Sequence, residues 1–255
     1  MTYRYLRLDL QPPVATIFLD RAPDNLLSID MMEEINTALL AIRSEPSIGV
    51  LVLRGADRVF SKGIDLSEHT KDRIQRLFQV YARIFETIRL MDVIAVAAVE
   101  GEALGGGFEL CLGCNLIVAS EAATFALPEV EHGIIPPIAC IVLPRVVPRR
   151  RAMEWILTGN RIPVEQLNSD GLVNRVFPAD GFEDGLASFL EELSSKSAPV
   201  LQLAKRAQAE AYYTTYEEAL YKVQNIYLRD LAELEDAEEG VRAYLEGRAA
   251  VWHHR

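Results

Sequence analysis

The chain has 255 residues, half of them hydrophobic and a quarter charged, the balance of a packed globular protein and not of a disordered one. A net charge of -11 argues against a dedicated nucleic-acid or anionic-membrane partner, because both need a net basic face. Three cysteines are too few for a disulfide framework, no apolar run nears the ~18 residues of a membrane span, and the first residues lack a secretory pattern, so a cytoplasmic protein is expected.

Residues 5–10 and 14–19 are β-prone runs separated by Gln11-Pro12-Pro13, which reads as a hairpin-like corner. Asp30 with Glu33 three residues on fits a capping box, and Met31, Ile35, Ala38, Leu39 and Ile42 follow at helical spacing. Residues 48–53 form a near-continuous apolar run, as a strand buried on both faces requires. Ile74, Leu77, Phe78, Tyr81, Ile84, Phe85 and Ile88 mark the apolar stripe of a long helix. A further apolar run at 93–99 leads into a glycine cluster, and 116–119 and 172–176 read as later strands. Strands alternating with helices predict an α/β architecture with substantial parallel pairing. From residue 199 the pattern is helical only, through Tyr216, Leu220, Val223, Tyr227, Leu231 and Leu234. The expected organisation is therefore a core over 1–198 and a helical segment over 199–255 that covers the core or packs on a partner subunit.

The chemistry concentrates in Glu100-Gly101-Glu102-Ala103-Leu104-Gly105-Gly106-Gly107-Phe108-Glu109-Leu110, where a strand ends and a helix begins. Consecutive glycines are costly unless the backbone must approach something closely. Free N–H groups and the dipole at a helix start favour an anion, or an oxygen becoming one. A dinucleotide fingerprint fails because Leu110 stands where its third glycine belongs, and a phosphate loop fails because no Gly-Lys-Ser/Thr follows. A structural glycine turn is the remaining alternative on this motif alone. Cys111 and Cys114 form a C-x-x-C in an apolar stretch, with no second Cys or His pair at zinc spacing, so buried thiols and no metal site are expected.

Two more segments complete a pattern: Phe60-Ser61-Lys62-Gly63-Ile64-Asp65-Leu66, and Phe125-Ala126-Leu127-Pro128-Glu129-Val130-Glu131-His132-Gly133 running on to Pro136-Pro137. In this order, with 19–28, Leu157-Thr158-Gly159 and 171–176 around them, they resemble the crotonase (enoyl-CoA hydratase/isomerase) superfamily over nearly the whole chain. The resemblance implies a spiral of ββα repeats over 1–198 with the helical C-terminal segment at an oligomer interface, a homotrimer or a dimer of trimers. It also implies an acyl-CoA substrate, with coenzyme A arriving as part of the thioester and no tightly bound cofactor.

By the same resemblance the backbone N–H groups of Ile64 and Gly106 form an oxyanion hole, and Glu109 and Glu129 are the two catalytic glutamates of members that hydrate a conjugated double bond. The usual fate of a glutamate is a solvated surface charge, so each carboxylate stands on the match. Arg21, Ser61, Lys62, Asp65 and Leu66 correspond to the coenzyme A-binding turn, and Arg248 to a basic residue of the C-terminal segment, where a Lys-Pro is replaced by Arg248-Ala249. His132 and Glu131 admit two readings: His132 assists proton transfer, or it is a partly exposed loop residue. Where many hydratases carry a Pro-Gly-x-Gly-Gly run, Pro136-Pro137-Ile138 builds a stiffer pocket wall, which looks like the pattern of cyclohexa-1,5-diene-1-carbonyl-CoA hydratases. The expected activity is hydration of such an enoyl-CoA. The alternatives are general fatty-acyl hydration, isomerisation or thioester hydrolysis, or a non-catalytic acyl-CoA-binding subunit.

Overall fold

A computed structural model describes residues 2–212 and 214–255. Strands β1 (Leu6–Gln11) and β2 (Val14–Leu19) pair antiparallel across the proline corner, with Leu6 opposite Leu19. Helix α1 (Ile29–Arg43) follows, then β3 (Val50–Gly55), α2 (Ile74–Leu90) and β4 (Ile94–Val99). Three-residue β5 (Glu102–Leu104) leads through Gly105 into α3 (Gly106–Gly113), followed by β6 (Leu116–Ser120) and β7 (Thr124–Ala126). The chain continues through α4 (Pro137–Val146), α5 (Arg149–Thr158), β8 (Ile162–Pro163), α6 (Val164–Ser169), β9 (Arg175–Phe177) and α7 (Phe182–Ser194). Helices α8 (Ala198–Ala211), α9 (Tyr216–Asn225) and α10 (Glu235–Glu246) close it, with a π-helical stretch, Ile226–Leu231, between the last two.

The larger sheet has the order β1-β2-β3-β4-β6-β9, and every pairing after the first is parallel. Alternate residues of its central strands point to opposite faces. Leu51, Leu53, Ala95, Ala97, Val99 and Ala119 join the main core under α1, α2 and α3. Val50, Val52, Val96, Ala98 and Val118 face the other way, onto Phe182, Leu186 and Phe189 of α7. The continuous apolar runs at 48–53 and 93–99 are thus strands covered on both sides.

Three sequence expectations shift. Helix α1 is capped by Ser28, whose Oγ accepts from the Met31 N–H, and the Glu68 carboxylate accepts from the Ile29 N–H at 2.7 Å; Glu33 instead pairs with Arg76 and Arg83. The strand expected at 172–176 begins at Arg175, because Leu172 closes a turn onto Leu167 behind the left-handed Gly171. The helix-only region opens at Phe182, since α7 is needed to cover the second face of the sheet. Among the described residues no helix is long and apolar enough to cross a membrane.

Candidate active site

A small second sheet, β5-β7-β8, places the site. Strands β5 and β7 run parallel with Ala103 beside Phe125, and Ser61 makes a parallel bridge to Ala103 on the other side. Three chain segments therefore run side by side in one direction, and the loops at their carboxyl ends converge. Those loops carry Ile64, the Gly105–α3 junction and Glu129, and together they line one cavity of about 420 Å³.

Two amides face this cavity. Leu27 bridges Ile64 by donating to the Gly63 carbonyl and accepting from the Asp65 N–H, so the Ile64 N–H points to the opposite side of its segment. Gly106 is the first residue of α3, where an N–H has no partner within the helix. The two groups are close: a Cβ on Gly106 would stand 3.4 Å from the Ile64 nitrogen and 2.9 Å from its Cγ1. At Gly105, φ is +50° and a Cβ would meet Glu129 Oε1 at 2.8 Å, while a Cβ on Gly107 would strike the Ser61 carbonyl at 2.3 Å. The glycine cluster is thus required by close approach on several sides at once.

Glu109 is fully buried and well partnered. Its Oε1 accepts from the N–H groups of Ile138 and Ala139 at 2.6 and 2.8 Å, and its Oε2 accepts from the Tyr81 hydroxyl at 2.7 Å. Burial raises its pKa to about 7, against the pull of those donors. Glu129 is buried on the same cavity, but its Oε2 has no partner among the described residues. Burial, then the neighbouring Glu109 charge, push its pKa to about 7. Two carboxyls of one pocket thus sit near neutrality in unlike surroundings, the arrangement in which acid and base roles can be divided.

The remaining candidates divide by position. Lys62 and Leu66 line the cavity, and Lys62 Nζ pairs with Asp24 at 2.8 Å and Glu102 at 3.4 Å. Arg21, Ser61 and Asp65 lie behind it. Arg21 donates to the Leu26 carbonyl and to Asp65 Oδ2, while Ser61 Oγ donates to the Asn25 carbonyl, so these three knit the 21–26 turn to the 61–66 loop. Pro137 lines the cavity; Pro136 is buried beside it, and Ile138 reaches the site through its backbone N–H. His132 lines the exposed rim, whereas Glu131 lies toward Gly159. Arg248 is engaged by Glu239 and Glu246 on its own chain. Cys111 is buried, burial pushes the Cys114 thiol up to about 12, and no metal-holding group of three such side chains occurs among the described residues.

Two polar residues of the cavity, Tyr81 and His69, were not singled out in the sequence. Tyr81 falls in the apolar stripe of α2, and nothing in helical spacing distinguishes a packed phenol ring from one whose hydroxyl reaches a carboxylate.

The profile of a family described as enoyl-CoA hydratase/isomerase matches residues 9–255. A Danio rerio protein, enoyl-CoA hydratase domain-containing protein 3, mitochondrial, is 31% identical over 232 residues, 89% of this chain and 80% of that one. The mitochondrial enoyl-CoA hydratase of Pongo abelii is 31% identical over 228 residues, 89% of this chain and 78% of that one. The crystal structure of an enoyl-CoA hydratase from Bacillus anthracis superimposes with a TM-score of 0.93 at 29% identity, covering 99% of this chain and 100% of that one.

Proposed function

The chain belongs to the enoyl-CoA hydratase/isomerase family, within the crotonase superfamily, and on that premise we propose that it adds water to, or removes it from, an α,β-unsaturated acyl-CoA thioester. The observation that carries this reading is the pair of buried carboxyls, Glu109 and Glu129, on the cavity that the Ile64 and Gly106 amides also face.

The thioester oxygen lies between the two N–H groups, where charge developing on it is stabilised by donors already in place; losing one such donor typically costs about 3 kcal/mol in the barrier. Three donors on Glu109 favour its ionised form, and a carboxylate has about four acceptor positions, so one is left for water. Glu109 takes a proton from that water as its oxygen bonds to the β-carbon. The π electrons move toward the thioester oxygen, giving an enolate. As the enolate collapses, Glu129 gives its proton to the α-carbon; its unpartnered Oε2 favours the neutral acid beforehand. The new C–O and C–H bonds replace the C=C π bond, and one proton passing from Glu109 to Glu129 restores the pair.

Lys62 and Leu66 at the cavity, with the turn held by Arg21, Ser61 and Asp65, form the surface we assign to coenzyme A, which enters as part of the substrate. For the acyl group we assign a compact cyclic dienoyl thioester such as cyclohexa-1,5-diene-1-carbonyl-CoA. Support comes from the cavity wall, in which Pro128 and Pro137 combine with branched Ile134 and Ile135 and leave little room to adjust. The C-terminal helices are assigned to contacts between subunits, in a trimer or dimer of trimers. Incubation with crotonyl-CoA and with the cyclic diene, followed by mass spectrometry, tests the reading. Gain of one water on the diene, with little on crotonyl-CoA, is expected. Preference for crotonyl-CoA would move the enzyme to general enoyl-CoA hydration, and release of free coenzyme A or double-bond migration without water would end the hydratase reading.

A further inference from the structure

We propose that Tyr81 is a positioning residue of the reaction: its hydroxyl holds Glu109 Oε2 and fixes that carboxylate at the cavity. The inference rests on the hydratase reading for Glu109 and adds a residue that reading does not contain. Tyr81 belongs to α2, where Leu77 and Ile84 share its buried face, and its ring packs edge-on against Phe85 with centroids 4.9 Å apart. A buried phenol must find a hydrogen-bond partner. A purely structural tyrosine would be satisfied by the Gly106 carbonyl, 3.2 Å from the hydroxyl, but the carboxylate oxygen is nearer, at 2.7 Å. The hydroxyl has one proton, and the charged acceptor gives the stronger bond.

No other donor reaches Glu109 Oε2 among the described residues, whereas Oε1 has two. Tyr81 therefore anchors the second oxygen and, with the two amides on Oε1, fixes the carboxylate plane about its last torsion. It also lowers the pKa of Glu109 against the rise caused by burial. The other titratable groups around the pair are Glu129 from the turn after β7, Cys140 on α4, and Lys62, His69 and His132 on the cavity wall, with Cys111 acting on Tyr81. None of them donates to Oε2, and the Glu129 charge would oppose ionisation.

The test is Tyr81→Phe, which keeps the ring and its packing. Turnover is expected to fall about 10-fold with KM within about twofold of wild type, and the acidic limb of the kcat/KM profile should move up by about one pH unit. In a Glu109→Gln background the same substitution should add no further loss. Infrared titration of the carboxyl band that disappears in Glu109→Gln should show the same upward movement without any turnover. Wild-type-like turnover and an unmoved acidic limb in Tyr81→Phe would overturn the assignment, as would an undiminished loss in the Glu109→Gln background. If the wild-type protein hydrates no enoyl-CoA, the hydratase reading fails on its own account, and the infrared titration still decides whether Tyr81 holds Glu109.

Discussion

Glu109 and Glu129 share a cavity but not an environment, and the difference makes separable predictions. Glu109→Gln and Glu129→Gln should each fold and lose turnover by about 10²- to 10⁴-fold; near-normal rates in both would remove the two-carboxylate mechanism. The same burial that tunes these groups costs stability. Each has a folded pKa near 7, above the ordinary carboxyl value, so its favourable contribution is complete below the unfolded pKa and is lost as pH rises through about 7. For Glu129, a rise from 4.5 to about 7 corresponds to on the order of 3 kcal/mol. Glu129→Gln should therefore raise the melting temperature at pH 8 and do little at pH 4; equal effects at both values would contradict a raised pKa. Gly106→Ala would place a methyl group 3.4 Å from the Ile64 nitrogen, in the space where the thioester oxygen is to bind. Loss of about 10²-fold in kcat with the fold retained is expected, read by steady-state kinetics beside circular dichroism.

At the level of elements, long periodic segments were legible and short ones were not. Helix α2 announces itself over seventeen residues, and β2 is found at 14–19, the bounds of its β-prone run. Strands β5, β7 and β8, two or three residues each, are too short to show a period, yet the parallel register of β5 with β7, and of Ser61 with Ala103, brings the three cavity loops together. The start of α1 was misplaced by one plausible capping pattern. Asp30 and Glu33 fit a local rule, but Ser28 Oγ and a carboxylate from 39 residues away hold the first turn. Glu68→Ala should accordingly lower stability by about 1–3 kcal/mol, by leaving the Ile29 N–H without its acceptor. Ser28→Ala should cost about 1 kcal/mol. Denaturant melts of the two variants test this, and an unchanged midpoint for Glu68→Ala would show that the cross-chain cap contributes nothing.

Across the whole molecule, the apolar residues left at the surface gather in the last helices. Tyr216, Tyr221, Leu228, Tyr244 and Leu245 are each more than half exposed. Apolar exposure of this kind supports the subunit contact proposed for these helices. The double substitution Tyr244→Asp and Leu245→Asp is expected to shift the protein to a smaller species in light scattering, while an unchanged mass would place the subunit contact elsewhere.

By itself the sequence determined the alternation of strands and helices, the doubly covered central strands and the glycine-rich start of α3, because each rests on periodicity or backbone freedom within a dozen residues. Its ordered motifs also singled out Ile64, Gly106, Glu109 and Glu129. Only the tertiary structure decided how those groups are surrounded. The three-segment register that gathers them, the Ile138 and Ala139 amides on Glu109 Oε1, the Tyr81 hydroxyl on Oε2 and the unpartnered Oε2 of Glu129 all come from residues far apart in the chain. Burial and hydrogen-bond geometry set the protonation of a carboxyl, and both are properties of the packed neighbourhood that no local pattern encodes.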